Sequence, residues 1–215
     1  MIKRILCFGD SNTWGAIPNE GGRCPAHVRW TGVLQSLLGN EWIVIEEGLN
    51  GRTSVWEDYV EGKMSGLDYL VPCLDSQAPL DLVVLMLGTN DTKTRFGCNA
   101  AMIAFGMQRL INAVCNMNNA LLPHPPVLLI SPILISDHYK SAALYGILGE
   151  GCVEKSLEFS KEYSLIAKQE GCYFLDAATV ANPSPIDGLH MEPESHSALA
   201  HAVYKEICKI FSEKV

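Results

Sequence analysis

The chain has 215 residues, of which 48% are hydrophobic and 19% charged, with 16 Lys and Arg against 24 Asp and Glu. This composition supports a sizeable buried core and excludes an intrinsically disordered protein, and the length favours a single domain over residues 1–215. The formal net charge of −8 argues against a nucleic-acid partner, because binding to a phosphate backbone needs a basic face.

In chain order, apolar patterning alternates between strand-like and helix-like segments. Short continuous apolar runs predict buried strands, and apolar residues at helical spacing predict helices. The strands are expected over Arg4–Phe8, Trp42–Glu46, Leu80–Leu87, Val127–Ser131 and Cys172–Leu175, and the helices over His27–Leu38, Asn99–Asn116, Cys152–Glu170 and Glu192–Ser212. Such alternation is typical of a parallel sheet with right-handed crossovers and helices on both faces.

Eight cysteines are spread along the chain without a C-x-x-C pair, so neither a structural zinc site nor another metal site is expected. Several lie in apolar runs, which predicts reduced, mostly buried thiols in a cytoplasmic protein. The apolar run before Gly9 is too short for the h-region of a signal peptide. No run reaches the roughly 18 apolar residues that span a bilayer, so we expect no membrane partner.

Polar clusters follow the predicted strands. Gly9-Asp10-Ser11-Asn12 comes after the first strand, Asn50-Gly51 after the second, Gly88-Thr89-Asn90-Asp91 after the third, and Asp187-Gly188-Leu189-His190 after the last. Because parallel sheets place their sites outside the carboxyl ends of the strands, we expect the four clusters to converge on one edge.

The clusters contain the groups that serine catalysis needs. A serine hydroxyl is a poor nucleophile unless a base takes its proton, and the usual base is a histidine oriented by a carboxylate. Ser11, His190 and Asp187 supply these three groups. The oxyanion needs fixed donors, which the N–H groups of Ser11 and Gly51 and the side-chain amide of Asn90 offer.

The four clusters, in this order, resemble the four sequence blocks of the SGNH (GDSL-type) hydrolases. The longer strings "RILCFGDSNTWG", "VIEEGLNGRTS" and "PLDLVVLMLGTNDTK" are similar to the aryl-esterase/acyltransferase (perhydrolase) branch of that family. The resemblance implies a three-layer α/β/α, flavodoxin-like fold with a five-stranded parallel sheet. It also implies hydrolysis of small acetyl and aryl esters through an acyl-serine, without metal or organic cofactor.

The same branch is associated with acyl transfer to alcohols and hydrogen peroxide, and with homo-oligomers up to an octamer. Position by position, the resemblance makes Ser11 the nucleophile, His190 the general base and then acid, and Asp187 the group that orients His190. Gly51 and Asn90 complete the oxyanion hole.

Four further residues are candidates for the substrate pocket. They are Asp10, Asn12, Trp14 and Asn50. Asn50 departs from the close relatives, in which a smaller residue is common, and the stretch 18–27 looks variable. The resemblance therefore does not predict the shape of the pocket mouth. Asp10 is also expected to hold the serine turn, and Asp91 to act as a local hydrogen-bonding group.

Other interpretations remain for individual residues and for the function. Ser11 also suits the N-cap of the following helix, and His196 and His201 fall in the last helical pattern, where packing or surface roles are expected. With the same triad, the enzyme could be a carbohydrate O-deacetylase, a thioesterase or a lysophospholipase. From a different class, a flavodoxin-like module would bind a nucleotide or flavin at the same strand ends.

Overall fold

Five strands form one parallel sheet. They are β1 (Lys3–Gly9), β2 (Trp42–Gly48), β3 (Leu82–Met86), β4 (Val127–Ser131) and β5 (Tyr173–Asp176), and their order across the sheet is β2-β1-β3-β4-β5. The computed structural model describes residues 2–62, 65–117 and 124–212. Each predicted strand overlaps one of these five, so the predicted five-stranded parallel sheet is confirmed.

Burial differs between the central and the edge strands. Strands β3 and β4 are buried along their whole length, as a continuous apolar run predicts. Strands β2 and β5 are only partly buried, so the prediction of strands buried on both faces is wrong for them. Both lie at the edges of the sheet, and β2 carries Glu46 and Glu47 near its end, whose charges favour contact with water.

Helices cover both faces of the sheet. They are α1 (Ser11–Trp14), α2 (Trp30–Leu38), α3 (Gly66–Gln77), α4 (Ala100–Cys115), α5 (Tyr145–Leu148), α6 (Cys152–Leu157), α7 (Phe159–Glu170) and α8 (Pro193–Ser212). Residues of α2 and α8 pack on one face of the sheet, and residues of α3, α4 and α7 on the other. The predicted three-layer α/β/α architecture is therefore confirmed.

Among the helices of the described residues, none combines the length and the apolar character that a bilayer crossing requires.

Two apolar cores flank the sheet. In one core, Trp30 of α2 and Leu199 and Val203 of α8 pack against the sheet. In the other, Ile103 of α4 and Tyr163 of α7 do so. These cores fix the strands, so that the loops at their carboxyl ends start from defined positions.

The helix predicted over Cys152–Glu170 is two helices, α6 and α7, which meet at Glu158. The side chain of Ser156 explains the interruption in part, since its hydroxyl donates to the carbonyl of Val153 and accepts from the N–H of Ile135.

Helix α3 was not predicted, because Pro72 in its interior weakens the helical pattern.

The cysteines are free thiols, in agreement with the sequence prediction. Five are buried, Cys115 and Cys172 are partly buried, and Cys208 is exposed. Burial in apolar surroundings raises the pKa of the Cys73 and Cys172 thiols to about 12, which keeps them protonated and unreactive.

Candidate active site

Ser11 lies at the turn from β1 into α1. Asp10 is the N-cap of α1, since the N–H of Asn12 donates to its Oδ1 at 3.0 Å. The interpretation of Ser11 as the N-cap is therefore wrong, because the carboxylate before it already fills that role and Ser11 is the first helical residue. The turn is tight: a Cβ on Gly9 would lie 2.1 Å from Oγ1 of Thr13.

The structure brings Ser11, His190 and Asp187 into one hydrogen-bonded line. Ser11 Oγ lies 3.0 Å from His190 Nε2, and His190 Nδ1 lies 2.7 Å from Asp187 Oδ2. Ser11 comes from the end of β1, whereas Asp187 and His190 share the loop that precedes α8. This is the geometry that a nucleophile, a base and an orienting carboxylate require.

The carboxylate of Asp187 is fully buried and holds its own loop in place. Oδ1 accepts from the N–H groups of Leu189 (3.0 Å) and His190 (2.9 Å), and Oδ2 also accepts from the N–H of Asn19 (3.2 Å). Burial works against ionisation, but the hydrogen bonds and the charge of His190 outweigh it and lower the pKa of Asp187. An ionised Asp187 binds Nδ1–H, which leaves Nε2 to accept the Ser11 proton.

The three residues predicted to supply oxyanion donors, Ser11, Gly51 and Asn90, all line one cavity. The predicted donors are the N–H groups of Ser11 and Gly51 and the side-chain amide of Asn90. Within the described residues, neither backbone N–H donates a hydrogen bond. Asn90 Nδ2 donates one hydrogen to the carbonyl of Arg52 at 3.1 Å, and its second hydrogen remains for a ligand. Gly51 adopts a left-handed backbone (φ 79°), which a glycine adopts without strain.

Arg52, which the sequence reasoning did not single out, ties these elements together. Its buried guanidinium donates to the carbonyls of Gly9 (3.0 Å) and Glu47, at the ends of β1 and β2. The guanidinium carbon also lies 4.2 Å from the ring centroid of Phe8. The only signal in the sequence was the position of Arg52 directly after Gly51.

Two buried carboxyl groups support the turns. Asp91 accepts from the N–H of Ser54 at 3.0 Å and from the Ser54 hydroxyl, as its expected role of local hydrogen bonding requires. Burial raises the pKa of Asp91 and of Asp10 to about 6 each, although hydrogen bonds to each carboxylate partly oppose the shift.

A cavity of about 300 Å³ opens in front of Ser11 and His190. Its walls are mostly apolar and come from the loop after α1, from the segment around α5 and from the loop before α8. The apolar lining residues are Ala16, Ile17, Ala143, Leu144, Ile147, Leu148 and Leu189. Asn19, Asn50 and Glu61 add polar groups to the wall.

One of the four predicted pocket residues lines this cavity, namely Asn50. The other three lie outside the lining, because other parts of the protein occupy their side chains. Asp10 caps α1, Asn12 binds the backbone of the loop before α8, and the Trp14 ring lies under the Arg23 guanidinium, 5.4 Å from its carbon.

Two parts of the wall were missed at the level of the sequence. Residues 143–148 lie in the connection after the predicted strand Val127–Ser131, but at some distance from its end and without a motif, so nothing in their pattern indicated the cavity. Glu61 is held by Lys93 and by Arg95, which donates to it at 2.7 Å. Lys93 also donates to the buried Asp58 at 3.0 Å. The acidic pair, Asp58 and Glu61, is far in sequence from the basic pair, Lys93 and Arg95. A search for short sequence motifs therefore does not find this group of charges.

The competing histidines take no part in the hydrogen bonds among Ser11, His190 and Asp187, as expected. His196 is buried in α8, where its Nδ1 accepts from the N–H of Trp30 at 3.3 Å. Burial and the nearby His190 lower the pKa of His196 to about 4. His201 is exposed and contacts the carbonyl of Ser197 in its own helix.

The fold and the site define an SGNH hydrolase, in the class of carboxylic ester hydrolases. Residues 7–198 match the GDSL-like lipase/acylhydrolase family, and the chain belongs to that family. This assignment favours the hydrolase over the nucleotide- or flavin-binding module that the fold alone allowed.

Solved structures of similar length agree. A carbohydrate acetylesterase from Sinorhizobium meliloti is 36% identical, with a TM-score of 0.92 over 97% of this chain and 99% of that one. The M. smegmatis aryl esterase is 37% identical, with a TM-score of 0.91 over 96% and 99%. No curated protein matched the chain. The predicted relation to the esterase branch is confirmed.

Proposed function

We propose that this protein is a serine esterase that hydrolyses small acetyl and aryl esters through an acyl-enzyme on Ser11. The observation that supports this most is the line of hydrogen bonds from Ser11 Oγ through His190 to Asp187, beside a cavity of about 300 Å³. A pocket of this size is at the small end for ligand sites, which favours a short acyl group.

In the first half of the reaction, His190 Nε2 takes the proton of Ser11 as Oγ attacks the ester carbonyl carbon. Asp187 stabilises the imidazolium that forms. The negative charge on the former carbonyl oxygen is bound by the N–H groups of Ser11 and Gly51 and by the Asn90 amide. His190 then gives its proton to the leaving alcohol as the C–O bond breaks, and the acyl group stays on Oγ.

In the second half, His190 takes a proton from water, which attacks the acyl carbon. Oγ leaves, regains a proton from His190, and the carboxylic acid is released. An alcohol or hydrogen peroxide in place of water gives a new ester or a peracid by the same steps. The apolar walls at Leu144 and Ile147 favour the alkyl group of an alcohol over water, so we include acyl transfer in the proposal.

A carbohydrate ester is the second candidate substrate. Asn19, Asn50 and Glu61 place polar groups on one part of the cavity wall, where sugar hydroxyls would find acceptors. The similarity to a carbohydrate acetylesterase favours the same idea. A comparison of kcat/KM for phenyl acetate and for acetylated monosaccharides separates the two, since a preference of tenfold or more for the sugar esters would displace the aryl-ester proposal.

Replacement of the nucleophile tests the proposal. Ser11→Ala should lower the hydrolysis of p-nitrophenyl acetate by roughly 10³-fold or more while the circular dichroism spectrum stays unchanged. Ser36→Ala, at an exposed serine of α2, is the matched control and should keep full activity. If Ser11→Ala hydrolyses the ester at the wild-type rate, the proposal is wrong. A panel with water, ethanol and hydrogen peroxide as competing acceptors tests the transfer reaction.

A further inference from the structure

Asn12 directly follows Ser11, yet its side chain is directed to a different loop. The residue is only 3% exposed, and it lies outside the cavity lining. Its Nδ2 donates to the carbonyl of Leu189 at 3.1 Å, and its Oδ1 accepts from the N–H of Met191 at 3.1 Å. The two contacts are with the residues on either side of His190, so one side chain holds both flanks of the histidine.

A side-chain amide makes this pair of contacts from one planar group, because it carries a donor and an acceptor together. A carboxylate lacks the donor, and an aliphatic side chain of similar size lacks both. The amide is also buried, so loss of either contact would leave a backbone group of the His190 loop without a partner.

The other restraints on His190 lie mostly within its own loop. Asp187 binds Nδ1 and the N–H of His190, and the carbonyl of His190 accepts from the N–H of Ser184 at 2.7 Å. Two contacts tie the loop to other segments: the N–H of Asn19 donates to Asp187 Oδ2 at 3.2 Å, and the N–H of Ser136 donates to the carbonyl of Gly188 at 2.9 Å. Asn12 links the loop to α1 directly beside the nucleophile, because it follows Ser11 and binds both flanks of His190.

We propose that Asn12 is a positioning residue that sets the distance between Ser11 Oγ and His190 Nε2. The inference rests on the roles proposed above for Ser11 and His190. Because Asn12 itself does not line the cavity, its replacement should slow proton transfer without weakening substrate binding. A displacement of about 1 Å between reacting groups can cost about 100-fold in rate.

The test compares Asn12→Leu with Gln35→Leu. Gln35 is a matched control, since its amide also bridges backbone groups: it donates to the carbonyls of Gly39 and Trp42 and accepts from the N–H of Val44. Asn12→Leu should lower kcat for p-nitrophenyl acetate by about 10-fold to 100-fold with KM unchanged. Both substitutions should lower the Tm by a similar amount. Gln35→Leu, however, should leave kcat unchanged.

A second measurement separates positioning from general loss of structure. The rate of Ser11 labelling by a fluorophosphonate should fall in Asn12→Leu by about the same factor as kcat. In a His190→Ala background, adding Asn12→Leu should not lower the residual labelling rate further, because the pair that Asn12 aligns is already absent. Asn12→Asp, which keeps the size and loses the donor, should also lower kcat and keeps the test valid if the leucine variant does not fold.

Two results would overturn the inference: wild-type kcat in both Asn12 variants, or a raised KM with kcat unchanged, which would mean that Asn12 contacts the substrate. Ser11→Ala is measured in parallel. If it is inactive while the Asn12 variants keep full activity, only the positioning role fails. If Ser11→Ala retains activity, the proposed function itself fails.

Discussion

The Nε2 atom of His190 lies 3.0 Å from the Oγ atom of Ser11, although the two residues are 179 positions apart in the chain. Ser11 follows the first strand of the sheet and His190 precedes the last helix. Both lie outside the carboxyl ends of the parallel strands, where loops from distant parts of a sequence meet. The proposed chemistry therefore depends on the completed sheet and on no local segment alone.

Asn90→Ala should reduce kcat for p-nitrophenyl acetate by roughly 10² to 10³, because it removes one of the three proposed oxyanion donors. KM should change little, since the donor acts mainly on the charge that develops in the transition state. Steady-state kinetics measure both constants. Asn182→Ala, at an exposed asparagine, is the control, and equal activity of the two variants would exclude Asn90 from the oxyanion hole.

The sheet and the convergence of the four polar clusters could be predicted from the sequence for one physical reason. Buried parallel strands need continuous apolar runs, and the polar residues that follow them have to lie at the carboxyl edge. The runs at Val127–Ser131 and Arg4–Phe8 matched β4 and β1 to within one residue at each end. The position of Ser11 at this edge followed from the strand Arg4–Phe8, and that of His190 from the last predicted strand, Cys172–Leu175.

His196→Leu should lower the stability of the protein and leave kcat unchanged, in contrast to His190→Ala, which should lower kcat by roughly 10³ or more. The leucine leaves the buried N–H of Trp30 without its acceptor, which costs about 1–3 kcal/mol. Urea unfolding and kinetics on both variants measure these effects. An inactive, fully stable His196→Leu would contradict the assignment of the base.

The destabilisation by His196→Leu should also depend on pH. Burial and the nearby His190 lower the pKa of His196 from 6.5 to about 4, so the unfolded chain binds a proton between these values that the folded chain does not. Stability from the neutral His196 is present above about pH 6.5 and is lost, by about 3 kcal/mol, as the pH falls through 4. The variant should therefore approach the wild type in unfolding free energy near pH 4.

Asp91→Asn should change the pH dependence of stability in the opposite sense. Burial raises the pKa of Asp91 from 3.8 to about 6, so the folded protein holds the proton more tightly than the unfolded chain. Ionisation then lowers the free energy of unfolding, by about 3 kcal/mol, as the pH rises from about 4 through 6. The variant lacks this loss, so its stability relative to the wild type should increase between about pH 4 and pH 7. If the free energies of unfolding of the variant and the wild type differ by the same amount at all pH values, the raised pKa of Asp91 is contradicted.

Ile147→Ala should widen the cavity and change the preference for acyl chain length. Each additional buried methylene group is worth about 0.8 kcal/mol, so the ratio of kcat/KM for p-nitrophenyl butyrate to that for the acetate should rise by about fourfold or more. Leu165→Ala, at an exposed leucine of α7 outside the cavity lining, is the control. An unchanged ratio would show that Ile147 does not bound the acyl site.

The parts of the site that escaped prediction share a physical cause. The cavity wall around Ile147 and the polar contribution of Glu61 come from segments whose sequence pattern does not depend on the sheet. Asn12 is a candidate for the pocket in the sequence analysis, but adjacent helical residues point in different directions, and Asn12 does not line the cavity as Ser11 does. Its true contacts, with Leu189 and Met191, depend on a loop nearly 180 residues away. Spacing in the sequence therefore indicates which residues meet at the sheet edge, but not which side chains face the cavity.

Covalent labelling with a fluorophosphonate, followed by peptide mass spectrometry, tests most directly the central claim that Ser11 is the nucleophile activated by His190. The account predicts a single adduct on the peptide that contains Ser11, none in Ser11→Ala, and labelling slowed by at least 10³ in His190→Ala. An adduct on a different serine, or labelling of Ser11→Ala at the wild-type rate, would contradict it.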